Sequence, residues 1–134
     1  MTHRLILPRR ILNGMKEYVA SHAPLEACGL LAGKDERVEH MIEVQNQAHS
    51  PIRFVMDPHE QLKALAYIES NQLELLGIFH SHPAGPGSVS STDIAEAAYD
   101  AVHVILARNG TDWTAHGFWI ESGTAVEVPL QIVE

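Results

Sequence analysis

Between Phe79 and Ile94 the chain reads FHSHPAGPGSVSSTDI, and most of the side chains in it that can do chemistry recur at spacings that suit a metal ion. His80 and His82 stand one residue apart at the end of an apolar run. If that run is a strand, side chains alternate faces and the two imidazoles point the same way. Their Cα atoms then lie about 6.5–7 Å apart, which lets both rings converge on one cation at about 2.0–2.1 Å. Pro83, Gly85, Pro86 and Gly87 allow the following loop to fold back and bring Asp93 to the same point. Two histidines and one carboxylate leave a fourth tetrahedral position open, the arrangement of a catalytic rather than a structural zinc site. Each piece also has a plainer reading. Strand-end histidines often serve only as satisfied polar residues, and Ser90-x-x-Asp93 reads equally well as a helix N-cap with an acid in the first turn. The two readings of Ser90 and Asp93 are compatible, because a cap fixes where the carboxylate points.

Hydrolysis at such a centre needs a base for the attacking water, whose pKa falls to about 7 on a zinc ion. Glu26 is the candidate, a lone acid in the otherwise apolar segment PLEACGLLAG; its alternative is a strand-edge charge facing solvent. Cys28 follows two residues later. It allows a Cys–His hydrolase in principle, a neighbour of the site, or simply a small buried hydrophobe.

The elements that must position these groups follow from periodicity. A short strand over His3–Leu7 ends at Pro8, and Ile11, Leu12, Met15, Tyr18 and Val19 recur on one face of a helix closed by Pro24. Glu26–Gly33 runs into a turn at Gly-Lys-Asp-Glu, with Val38–Val44 as the return strand. A strand is expected at Ile52–Met56. Asp57 then caps a helix that has Pro58 in its first position and runs to about Asn71. Leu73–His82, apolar on both faces, reads as a central strand, and Asp93–Tyr99 as a helix. Strands over Val102–Ala107, Trp113–Ile120 and Ala125–Val133 complete the chain, with turns at Asn109-Gly110 and Ser122-Gly123. Pro129 makes the last an edge strand or a broken one. The expected class is α/β, a mixed sheet flanked by about three helices, in a single domain over residues 1–134.

Composition narrows the function. With 17 acidic and 9 basic residues among 134, the formal charge is −8, which argues against nucleic acid as the main partner. No stretch approaches the roughly 20 apolar residues of a spanning helix, the first ten residues lack a signal-peptide core, and one cysteine suits a reducing compartment. The expectation is a cytoplasmic protein with no membrane partner. His3, His22, His40, His49, His59, His103 and His116 show no ligand spacing and read as surface or structural, while Trp113 and Trp119 suit core packing.

Glu26 followed by His80-x-His82, seven residues, then Ser90-x-x-Asp93 resembles the JAMM motif of the MPN-plus metalloprotease family, matched at every position. The flanking E-x-C-G-L-L-x-G and L-G-x-F-H-S-H-P agree, and the resemblance, from about Leu5 to Ile120, is strongest to the compact stand-alone prokaryotic members. It implies an MPN fold similar to cytidine deaminases and one Zn2+ per chain, held by His80, His82 and Asp93. It further implies that a zinc-bound water attacks, that Glu26 is general acid/base, and that Ser90 stabilises the oxyanion. Substrates implied are peptide or isopeptide bonds after the C-terminal Gly-Gly of a ubiquitin-like or sulfur-carrier protein. Two other classes stay open: a non-catalytic MPN scaffold binding ubiquitin-fold partners, and a RadC-like protein associated with DNA repair. Zinc content separates the first from an enzyme, and salt-dependent DNA binding separates the second.

Overall fold

The computed structural model describes residues 3–134; Met1 and Thr2 lie outside it. Its elements run β1 (Leu5–Pro8), α1 (Arg9–His22), β2 (Cys28–Lys34), β3 (Arg37–Val44), α2 (Pro58–Ser70), β4 (Glu74–His82), α3 (Ser91–Ala95), β5 (Val102–Asn109), β6 (Asp112–Glu121), β7 (Thr124–Val128) and β8 (Leu130–Val133). The strands form one sheet in the order β7-β6-β5-β4-β2-β3-β1-β8. It is mixed: β4 pairs β5 in parallel and β2 antiparallel, while β1 pairs both β3 and β8 in parallel. The expected mixed α/β architecture is therefore present.

β4 sits inside the sheet, and its residues Gly77–His82 are all buried, as the unbroken apolar run requires. One face packs on α1, whose Ile11, Leu12, Met15 and Val19 meet Leu31, Phe79, Val104 and Leu106. The other packs on α2, whose Ala64 and Ile68 meet Cys28, Leu30, Ala32 and Ile78. The α2 cap forms as its sequence dictates: Asp57 accepts from the backbone N–H of His59 and Glu60 at 2.9 and 3.0 Å, and Pro58 follows directly. Trp113 is buried in the α1-side cluster with Trp119 packed against it. Among the described residues no helix is long and apolar enough to cross a membrane.

Two expectations are corrected, and one left open is decided. Ile52–Met56 is not a strand; only Met56 bridges, to Asn46. Beside it β2 is already paired on both sides, by β3 and β4. The Asn46 side chain instead takes up the loop's polar groups, accepting from Val55 N–H at 2.9 Å and donating to the Arg53 carbonyl at 3.1 Å. The helix expected over Asp93–Tyr99 is the shorter α3, capped by Ser90. Tyr99 lies beyond its end, where its hydroxyl accepts from Gln61 of α2 at 2.7 Å. Ala125–Val133 is the broken strand that Pro129 allows: it divides there into β7 and β8, which occupy opposite ends of the strand order. The sheet curls enough for β8 to approach β6: a Cβ on Gly117 would lie 2.8 Å from a Leu130 methyl.

Candidate active site

The end of β4 delivers both histidines to one face, as alternation requires. His80 is fully buried, opposite Cys28 of β2 and beside Ile105 of β5. His82 is next to Ala107, whose own neighbour on β6 is Thr114. These small residues leave room over the sheet for the returning loop. That loop approaches β6 so closely at Gly87 that a Cβ there would sit 2.6 Å from His116 Nε2. The loop also orients His82, whose Nδ1 donates to the Pro86 carbonyl at 2.8 Å and leaves Nε2 as the lone-pair nitrogen.

The loop ends in a capping box. Ser90 Oγ accepts from the Asp93 N–H at 3.0 Å, and Asp93 Oδ2 accepts from the Ser90 N–H at 2.9 Å. The same Oδ2 lies 3.2 Å from His80 Nε2 and 3.2 Å from His82 Nε2, and those two nitrogens are 3.1 Å apart. The cap and the carboxylate's approach to the histidines thus share one atom. Three ligands bound tetrahedrally at about 2.0–2.1 Å stand about 3.3–3.4 Å from one another, so this near-equilateral triangle has the dimensions of one face of such a centre. Two imidazole nitrogens and one carboxylate oxygen at that spacing could hold a metal cation.

The charges respond accordingly. Burial pushes His80 down, outweighing the hydrogen bond and charge of Asp93. His82 rises: burial opposes this, but hydrogen bonds to Asp93 and the Pro86 carbonyl prevail. Asp93 is held well below the usual carboxylate range, its burial outweighed by the two imidazoles beside it and the Ser90 N–H.

Glu26 completes the cluster from just before β2. It brings a carboxylate oxygen within 4.8 Å of the ligand nitrogens of His80 and His82. Only 4% exposed, with Oε1 unpartnered among the described residues, it is raised by desolvation to about 7; His82 pulls it down and Asp93 pushes it up. Its backbone is clamped on both sides, the N–H donating to the Ser50 carbonyl at 2.9 Å and the carbonyl accepting from Asn46 Nδ2 at 3.0 Å. One residue on, the Ala27 N–H donates to Ser81 Oγ at 2.8 Å and the Ser81 N–H returns to the Ala27 carbonyl at 3.0 Å. Ser81, the residue between the two histidines, therefore splices the Glu26 segment to β4.

Structure thus gathers Glu26, His80, His82, Ser90 and Asp93 at one point. Cys28 is near but unsuited to nucleophilic chemistry: buried, its thiol donates to the Val44 carbonyl at 3.3 Å, and desolvation pushes it up to about 12. Ser81, between two histidines, and Asn46, between two glutamines, carried no sequence signal of their own. Of the other histidines, His3 stacks on Trp119 and His22 packs edge-on against Tyr18, whereas His103 is buried on the same face as the site.

The family model described as prokaryotic homologs of the JAB domain matches residues 8–119. A desampylase of Pyrococcus furiosus is 43% identical over 67% of this chain, the match spanning 64% of that relative, just under two thirds of its length. A probable TtuB-protein conjugate cleaving protease of Thermus thermophilus is 40% identical over 81% of this chain and 74% of its own. The CysO-cysteine peptidase of Mycobacterium tuberculosis is 31% identical over 97% and 92%. Among solved structures, protein DSY2949 of Desulfitobacterium hafniense superposes with a TM-score of 0.87 at 32% identity, covering 97% of this chain and 93% of that one. With its motif gathered by the fold and its length matched in this way, the chain belongs to the family of prokaryotic homologues of the JAB domain.

Proposed function

We infer that the protein is a zinc-dependent cytoplasmic hydrolase that cuts the peptide or isopeptide bond after the C-terminal Gly-Gly of a ubiquitin-like or sulfur-carrier protein. The observation that carries this reading is the triangle of His80 Nε2, His82 Nε2 and Asp93 Oδ2 with the buried Glu26 carboxylate beside it. Two imidazoles and one carboxylate suit Zn2+, with an open fourth position. The bound ion supplies a Lewis acid that acidifies water and polarises the scissile carbonyl.

The chain's own groups do the rest. Glu26, raised to about 7 by burial, accepts the proton of the attacking water as its oxygen bonds the carbonyl carbon. It then passes that proton to the leaving nitrogen as the C–N bond breaks, leaving a free carboxylate and an amine. Ser90 Oγ spends a lone pair on the Asp93 N–H, which frees its O–H to donate to the oxyanion of the tetrahedral intermediate. The relatives' names support the substrate class, one being a conjugate cleaving protease and another a peptidase acting on a cysteine adduct. The test is to incubate the zinc-loaded protein with Gly-Gly-ending ubiquitin-fold proteins bearing a C-terminal peptide or a lysine-linked partner, and to read intact masses. Cleavage after Gly-Gly is expected; intact substrates with one zinc bound per chain would leave the non-catalytic scaffold in its place.

A further inference from the structure

Both histidines turn Nε2 toward the triangle, so each neutral ring carries its proton on Nδ1, and that N–H needs an acceptor. His82 has one in the Pro86 carbonyl at 2.8 Å. His80 Nδ1 is buried without a partner among the described residues. His103 presents the complement, a buried Nε2 that also lacks a partner among the described residues, in a side chain only 5% exposed. The parallel register of β4 and β5 pairs Ile78 with His103 and His80 with Ile105, so alternation puts His103 on the same face as His80 in the adjacent strand.

The two rings line one cavity of ≈ 20 Å³ together with Arg53, Phe54, Thr92, Asp93 and Glu96. A single water needs about 10–15 Å³ and two to four polar partners; the space is of one water's size, and because both nitrogens are shielded in this packing, a water between them requires the rings to part slightly. Arg53 and Glu96, paired at 2.9 Å, help wall it in. Burial, with His80 adding to it, pushes His103 down to about 4, so near neutral pH one of its nitrogens is an acceptor.

We propose that His103 is a positioning residue for the metal centre: it anchors a water that accepts from His80 Nδ1–H and donates to His103 Nε2, which aims the His80 Nε2 lone pair at the ion. The inference rests on the metal reading above and deepens it.

The test is the zinc dissociation constant, by competition with a chromogenic chelator, of wild type, His103→Phe and His103→Gln, with thermal unfolding of the zinc-free forms alongside. His103→Phe keeps the ring's bulk without its nitrogens and is expected to weaken zinc about 10–100-fold. His103→Gln, which restores an acceptor, is expected to recover most of that. Equal weakening in both variants would assign the effect to packing and overturn the proposal, as would zinc affinity in His103→Phe within about twofold of wild type. Nitrogen-15 NMR of the zinc-loaded wild type decides even where a variant does not fold. The expected tautomers are Nδ1–H on His80 and a bare Nε2 on His103, and a proton on His103 Nε2 overturns the proposal. Wild type that binds no zinc would instead defeat the metal reading itself.

Discussion

From His80 to Asp93 four of the site's five side chains come from one stretch of chain, whereas Glu26 comes from the segment just before β2 and is held by partners distant in sequence. In the first region local rules suffice. A strand end sets the two histidines on one face, and a capping box holds the carboxylate oxygen that meets them. In the second, Glu26 lies just outside β2, and long-range bonds to Ser50, Asn46 and, through Ala27, Ser81 fix its backbone. On the proposed reading, the difference separates holding an ion from using it: one region would carry the ligand triangle, the other the proton.

Substitutions can break that separation, the largest effects first. His82→Ala removes a corner of the triangle and is expected to lose both zinc and hydrolysis, the latter below detection; zinc retained at one per chain by elemental analysis would contradict the ligand set. Glu26→Gln is expected to keep zinc while turnover falls about 10²–10⁴-fold, the span of general acid–base catalysis. Turnover at the wild-type rate in steady-state assays would remove Glu26 from the proton's path. Ser90→Ala tests a residue that serves both cap and oxyanion, and turnover should fall about 10²–10³-fold while unfolding free energy drops by about 1 kcal/mol. A loss of stability alone, measured in urea, would reduce Ser90 to a cap. Asn46→Ala strips partners from the Glu26 and Arg53 carbonyls and from the Ala48 and Val55 N–H groups. Zinc affinity should change little and kcat should fall by up to about 10²-fold, the scale of a reacting group misplaced by about 1 Å; equal losses of zinc and of rate would erase the contrast between the regions.

The pH dependence of stability sharpens the contrast further. Glu26 is raised in the folded state from 4.5 to about 7, so the folded form holds that proton more tightly than the unfolded chain. Its penalty is absent below about 4.5, grows as pH rises, and is complete above about 7, reaching at most about 3 kcal/mol. Zinc-free Glu26→Gln should therefore unfold at higher urea than zinc-free wild type at pH 8, with the gap closing by pH 4.5. A gap that does not change with pH would show that Glu26 is not destabilised by burial.

Legibility in the sequence follows the same divide. The strand ending in His80-x-His82, the Asp57-Pro58 cap of α2, the Ser122-Gly123 turn and the Ser90 cap each depend on residues within a few positions of one another, where alternation, capping and turn chemistry act. The Glu26 assignment needed a family resemblance, because nothing within PLEACGLLAG tells a buried base from an edge charge. Ile52–Met56 misled for the complementary reason: its residues favour a strand, but its backbone groups are taken up by the Asn46 side chain, a partner no local pattern reveals.

His103 shows the limit most clearly. Its sequence neighbours mark only a buried strand; its closeness to His80 arises from the register of β5 on β4, set by the chain between them. Ser81 and Asn46 are alike in this, since their value lies in the backbone groups they meet across the fold. Types and short spacings named the groups able to bind an ion, because their geometry is local. Packing of distant segments selected the carboxylate that lies beside those groups and the polar side chains that hold it there, because buried polar groups must find partners wherever the fold brings them.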